Sequence, residues 1–153
     1  MAVQTAGGKY LACPFFMPRE KYDSGPWIHP ARLPLAGGWK GLCTAPGHEN
    51  AVPDEEQLRE SCNLGYAANC AWRPMDRAWD SVRFGVSKEC DQRIVLCYAC
   101  EKEHRPVDHG LLEYDARSGR WNSVHSNAVI QKMAECYVES YLFRKQRSSS
   151  ERQ

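Results

Sequence analysis

Seven of the nine prolines fall in the first 53 residues, at Pro14, Pro18, Pro26, Pro30, Pro34, Pro46 and Pro53. They are interspersed with Gly25, the Gly37-Gly38 pair, Gly41 and Gly47. Proline removes a backbone donor and fixes φ, so a segment this dense in it is expected to be loop rather than helix or central strand. The segment is nonetheless apolar: Phe15, Phe16, Trp27, Ile28, Leu33, Leu35, Trp39 and Leu42 lie between the prolines. A disordered linker lacks that load. Irregular loops that must pack need a cross-link, and Cys13, Cys43, Cys62 and Cys70 are the groups able to supply one.

The length of 153 residues suits one domain. We divide it into a cysteine-rich, metal-organised region (1–75), a sheet with a C-terminal helix (76–146) and a mobile tail (147–153). Hydrophobic residues at 42% and charged residues at 25% are ordinary for a folded chain. A net charge of +1 gives no overall field for nucleic acid or an anionic membrane. The first residues lack the basic start and apolar run of a signal peptide, and no stretch reaches the roughly 20 apolar residues of a membrane span. The expectation is a cytoplasmic protein. In a reducing compartment, eight cysteines point to metal ligation or redox chemistry before disulfides. A disulfide framework would call for a secretory context.

A helix is expected from Asp54, with Gln57 three residues on as the other half of a capping box, Leu58 and Cys62 on one face, and Gly65 as the stop. Were that helix to run on to Cys70, eight residues would separate the two sulfurs by about 12 Å along the axis. The chain must therefore break near Gly65 for Cys62 and Cys70 to meet. From Val82 the period becomes two. Val82, Phe84 and Val86 share a face, as do Ile94, Leu96, Tyr98 and Cys100; Val95, Cys97 and Ala99 make the second strand apolar on its other side as well, as in a central strand. Residues 110–115 and 120–122 read as a hairpin about Gly119. A last helix starts near Ser126 and ends before Arg147, with Val129, Ile130, Met133, Ala134, Tyr137, Val138, Tyr141 and Leu142 as its apolar stripe. The fold class is α+β: an irregular Pro/Gly-rich metal-binding N-terminal region, a short antiparallel sheet and a C-terminal helix.

The gaps between Cys13, Cys43, Cys62 and Cys70 are 29, 18 and 7 residues. None is the short pair by which zinc sites advertise themselves. Iron–sulfur clusters accept more dispersed thiolates within an apolar shell, here Phe15, Phe16 and the tryptophans. These four cysteines are therefore the candidate ligands of a [4Fe–4S] cluster, with zinc as the alternative and His29 or His48 able to replace one thiolate. A second zinc candidate is Cys97, Cys100, His104 and His109, although strand alternation would aim Cys97 and Cys100 apart. Cys90 and Cys136 have no local partners; Cys136 reads as a small core hydrophobe. No phosphate-cradling loop, dinucleotide fingerprint or nucleophile elbow is present, so no catalytic residue is assigned. Trp27, Trp39, Trp72, Trp79 with Arg32, Arg73, Arg77 and Arg83 would suit single-stranded nucleic acid, but packing is the preferred role.

Cys13-Pro14 resembles the Cys-Pro step of bacterial ferredoxin motifs. Together with His29-Pro30, Arg32-Leu33-Pro34-Leu35, Gly38-Trp39, Gly41, Cys43 and the stretch from Cys62 through Ala67 to Cys70, it resembles the cysteine scaffold of small bacterial iron–sulfur-type proteins. The resemblance covers about the first half of the chain and implies a cluster without implying a substrate. Full ligation by four cysteines would leave no open iron, which points to electron transfer or redox sensing with a redox or assembly partner. The alternative is a zinc- or cluster-stapled interaction module, or a subunit of a larger complex.

Overall fold

The computed structural model describes residues 12–22, 33–63 and 70–152, the last six of these by their backbone alone. The order of elements is β1 (Phe16–Lys21), β2 (Trp39–Cys43), α1 (Glu55–Gln57), a π-helical turn (Leu58–Cys62), β3 (Ser81–Cys90), β4 (Arg93–Lys102), β5 (Arg105–Asp115), β6 (Arg120–Ser123) and α2 (Ala128–Arg152). β1 and β2 form one antiparallel sheet, and β3-β4-β5-β6 form a second in sequence order. The architecture is α+β, with strands predominating.

Alternation sets the four-stranded sheet. Ile94, Leu96 and Cys100 are wholly buried on the inner face of β4. α2 covers that face with Ala134 and Val138, which cluster with Ile94, Leu96 and Leu112. β4 is interior to its sheet, as its two apolar faces suggest, but the second face lies open, with Cys97 and Leu111 exposed. Both inner hairpins turn on two residues of positive φ: Asp91 (51°) with Gln92 (65°), and Glu103 (53°) with His104 (66°). Such turns match the twist of the flanking strands. The β5–β6 turn places Gly119 at φ 73°, and its N–H donates to the Asp115 carbonyl at 2.8 Å. Asn127 starts α2 by accepting the Val129 and Ile130 N–H groups on Oδ1, at 2.9 and 3.1 Å. The helix continues through Arg152, beyond the end expected before Arg147.

The proline-rich region is more regular than its composition suggests. β1 carries Pro18, which sits where the pairing with β2 shifts register, in a two-stranded sheet made only of edges. Those are the positions where a strand tolerates proline. Opposite Pro18 lies Gly41, where an added Cβ would come within 2.0 Å of the Met17 carbonyl oxygen. Only glycine lets β1 approach so closely.

One core joins the two regions. Ala12, Cys13, Phe16, Leu35, Trp39, Leu58 and Cys62 pack in a single cluster with Val82, Cys100, Ile130, Met133 and Cys136. Ala12 also exchanges both backbone hydrogen bonds with Val82, at 2.8 and 2.9 Å, so the chain entering the cysteine region is pinned to β3. The capping box at Asp54 and Gln57 forms as expected. Beyond it, however, the helix widens: the Asn63 N–H donates to the Leu58 carbonyl, five residues back, at 2.9 Å. The expected stop at Gly65 lies outside the described residues. Among the described residues, no helix is long and apolar enough to cross a membrane.

Candidate metal centre

Each of the four N-terminal cysteines lies at the end of an element or in a turn. Cys13 follows the bridge to β3 and opens a turn closed by Phe16 N–H on the Cys13 carbonyl, 3.2 Å. Cys43 ends β2 opposite Phe16. Cys62 ends the π turn, and its carbonyl accepts the Cys13 N–H at 3.2 Å. Cys70 opens a second turn of the same kind as that at Cys13, with Arg73 N–H on its carbonyl, also at 3.2 Å. Thr44 ties the first two cysteines together, since its N–H and hydroxyl both donate to the Phe15 carbonyl, at 2.8 and 2.7 Å.

The four sulfurs lie within electrostatic reach of one another. Burial pushes the Cys13 thiol up to about 12; the N–H groups of Phe15 and Phe16 oppose that rise, and charges on Cys43 and Cys70 add to it. Burial raises Cys62 further, with Cys13, Cys70 and Cys43 all contributing. Cys43 is raised by burial and by Cys70, against the Ala45 N–H. Every pairing among the four is thus felt. In the metal-free protein Cys13, Cys43 and Cys62 are held as thiols, because burial leaves their thiolates poorly solvated and neighbouring thiolates repel. A cation reverses that preference.

Three of the four share one local device. The N–H of the residue two positions on points back at the sulfur: Phe15 at Cys13, Ala45 at Cys43 (3.4 Å) and Trp72 at Cys70 (3.4 Å). An N–H donor stabilises an anionic sulfur more than a thiol. Near this group the Trp39 indole N–H is buried with no hydrogen-bond partner among the described residues, and Trp39 packs in the same cluster as Cys13 and Cys62. His48 stacks on Trp72, ring centroids 4.9 Å apart and 12° from parallel. His29 lies outside the described residues.

Cys97, Cys100, His104 and His109 are not brought together. Cys97 is exposed and its thiol meets the Gly85 carbonyl at 3.2 Å, whereas Cys100 is wholly buried on the opposite face. His104 occupies the β4–β5 turn, and His109 is exposed on the outer face beside Ala99. Cys100 instead meets Asp108 and His125, whose ligand atoms lie within 4.8 Å of one another; among the described residues this is the group of three or more that does so. His125 Nδ1 accepts the Asn127 N–H at 2.9 Å, so Nε2 carries the ring proton and donates it to Asp108 Oδ2 at 2.9 Å. A metal on Nε2 would need that proton on Nδ1, against the Asn127 donor. Asp108 and His125 therefore form a hydrogen-bonded clamp between β5 and the start of α2, with the Cys100 thiol beside it.

No sequence spacing announces that clamp, because Asp108 and His125 meet only through the sheet register and the helix entry. Cys90 is exposed at the end of β3, and Cys136 is buried on α2, where burial raises its thiol to about 12. Of the aromatic and basic residues that would suit nucleic acid, Trp27 and Arg32 lie outside the described residues. Trp39 is buried, Trp79 packs on His125, Arg77 pairs with Asp80 at 2.6 Å and Arg83 with Glu101 at 3.3 Å. Comparison with protein-family models, curated proteins and solved structures found no match.

Proposed function

We propose that Cys13, Cys43, Cys62 and Cys70 ligate one metal centre, an iron–sulfur cluster of the [4Fe–4S] type, and that the protein transfers single electrons or senses redox state through it. The observation that carries this reading is the repeated N–H···S turn at Cys13, Cys43 and Cys70, on thiols that all feel one another's charge. Hydrogen bonds to sulfur and an apolar surround are the levers by which a protein tunes a cluster's potential. The unpartnered Trp39 N–H offers one more such donor.

Spacing favours a cluster over a single zinc ion. Tetrahedral zinc with bonds of about 2.3 Å draws its thiolates to about 3.8 Å from one another. The gaps of 29, 18 and 7 residues between Cys13, Cys43, Cys62 and Cys70 contain no short ligand pair of the kind zinc sites use. A cluster places each thiolate on a different iron and so holds the sulfurs further apart.

A second reading, a zinc- or cluster-stapled module within a larger assembly, draws on the packing of Cys13 and Cys62 inside the main hydrophobic core. Removal of such a staple would unfold the chain. The two readings separate by electrochemistry, since a structural zinc has no reversible couple. Single serine substitutions at Cys13, Cys43, Cys62 and Cys70, reconstituted anaerobically with iron and sulfide, test the ligand set. Each is expected to lower or abolish the visible charge-transfer absorption, while Cys136→Ser retains it. Equal loss at all five positions would overturn the assignment.

A further inference from the structure

Glu135 and Glu139 stand one turn apart on α2, both exposed, on the same side of the helix as Val138 and Leu142. Carboxylates at that spacing repel each other. Facing them, the β5–β6 hairpin presents Tyr114 and Trp121, ring centroids 5.1 Å apart and tilted by 55°. These side chains bound a groove of about 550 Å3, within the usual size of small-molecule sites. Val138 and Leu142 give it an aliphatic lining, and Phe143, half exposed, adds a third ring. No lysine or arginine lines it, and among the described residues neither carboxylate is in an ion pair. Glu135 Oε2 accepts only the Gln131 side-chain amide, at 3.4 Å.

We propose that this groove between α2 and the β5–β6 hairpin binds a lipophilic monocation, a quaternary ammonium carried on an apolar body. The carboxylates of Glu135 and Glu139 neutralise the charge, the rings of Tyr114 and Trp121 face it, and the apolar body lies on Val138 and Leu142. Aromatic faces attract cations, tryptophan most strongly. The chain already uses one ring of the groove in this way, since Lys21 Nζ lies 4.3 Å from the Phe143 centroid without itself lining the groove. A neutral apolar guest would leave the repulsion between the two carboxylates in place, and a hydrated inorganic cation would leave the rings unused. Only a guest with both a positive charge and an apolar surface uses every wall. The site stands apart from the cysteines: its hairpin and helix residues pack on the cluster of Ile94, Leu96 and Leu112, whereas Cys13 and Cys62 belong to the other cluster.

The test titrates the full chain, as purified, with benzyltrimethylammonium and follows proton–nitrogen NMR correlations, the Trp121 indole N–H being assigned by its loss in Trp121→Phe. Saturable shifts are expected at that indole and at the amides around Glu135 and Glu139. Choline should bind more weakly than benzyltrimethylammonium, and its uncharged isostere 3,3-dimethylbutan-1-ol at least about fivefold more weakly than choline. The double variant Glu135→Gln/Glu139→Gln, changed only at exposed positions, should keep its far-ultraviolet circular dichroism and lose at least about fivefold in affinity for the cation. The comparison of choline with its isostere uses wild-type protein, so it decides the matter even where the variant fails to fold. Absence of a saturable shift, equal binding of the isostere, or unchanged affinity in the folded double variant would overturn the inference. Nα-acetyl-lysine methylamide binding as tightly as benzyltrimethylammonium would also overturn it, in favour of a basic peptide as the guest.

Discussion

The Asn63 side chain binds both backbone groups of Trp39: its Oδ1 accepts the Trp39 N–H at 3.0 Å and its Nδ2 donates to the Trp39 carbonyl at 2.9 Å. The same Nδ2 reaches the Leu58 carbonyl at 3.0 Å. One amide thus imitates a neighbouring strand for β2 and closes the π turn that carries Cys62. It couples the element ending at Cys43 to the one ending at Cys62.

Replacing Asn63 with Ala leaves the buried N–H and carbonyl of Trp39 without this partner and removes one of the two donors to the Leu58 carbonyl, which keeps the residue-63 backbone N–H. The expected loss is about 3 kcal/mol in denaturant unfolding. Asn63→Asp, which keeps the acceptor and loses the donor, should also lose stability and should weaken metal retention. Wild-type stability in both variants would show that the clamp contributes nothing.

Gly41→Ala should separate β1 from β2, because the new methyl group would meet the Met17 carbonyl and adjacent backbone rather than a movable side chain. A loss above about 3 kcal/mol is expected. Hydrogen exchange should show it as lost protection in β1 and β2 with β4 and β5 retained.

His125→Ala removes a side chain only 6% exposed that joins Asp108 to the start of α2. About 2 kcal/mol of stability should go with it, read as a lower urea midpoint. Metal content per folded molecule should not change. A fall in metal content would place His125 in the centre rather than in the clamp.

The thiol shifts set a direction for pH. Cys13, Cys100 and Cys136 have pKa values raised from 9.0 to about 12 in the folded, metal-free chain. Above about pH 9 the unfolded state gives up these protons and the folded state keeps them, so stability falls as pH rises from about 9 to about 12, by up to roughly 1.4 kcal/mol per unit per thiol. Metal loading removes Cys13 from that set, since a bound thiolate holds no proton. Urea unfolding across this window should therefore show a shallower slope for the loaded protein. Equal slopes would mean that Cys13 is not a ligand.

Local signals carried much of the fold. Asp54 with Gln57 marked a helix start, the alternation about Ile94 and Leu96 marked β4, Gly119 marked the last hairpin and the stripe from Ile130 to Val138 marked α2. The β1–β2 sheet escaped because Pro18 and Gly41 read as breakers when each is considered alone. In the fold one sits at a register shift on an edge, and the other admits a close backbone. The two inner hairpins turn on Asp91-Gln92 and Glu103-His104, without the glycine or asparagine that announces such turns. Three of the four candidate ligands gain their N–H···S turns from backbone torsions two residues on, which spacing alone does not encode. The 29-residue gap between Cys13 and Cys43 is bridged by strand pairing, and the bond between Asp108 and His125 by register.

The most direct measurement is the iron, acid-labile sulfide and zinc content of the protein purified without oxygen. The four-thiol cluster predicts about four irons and four sulfides per chain with broad visible absorption. A colourless protein with one zinc and no sulfide, or a folded protein with no metal at all, would contradict it.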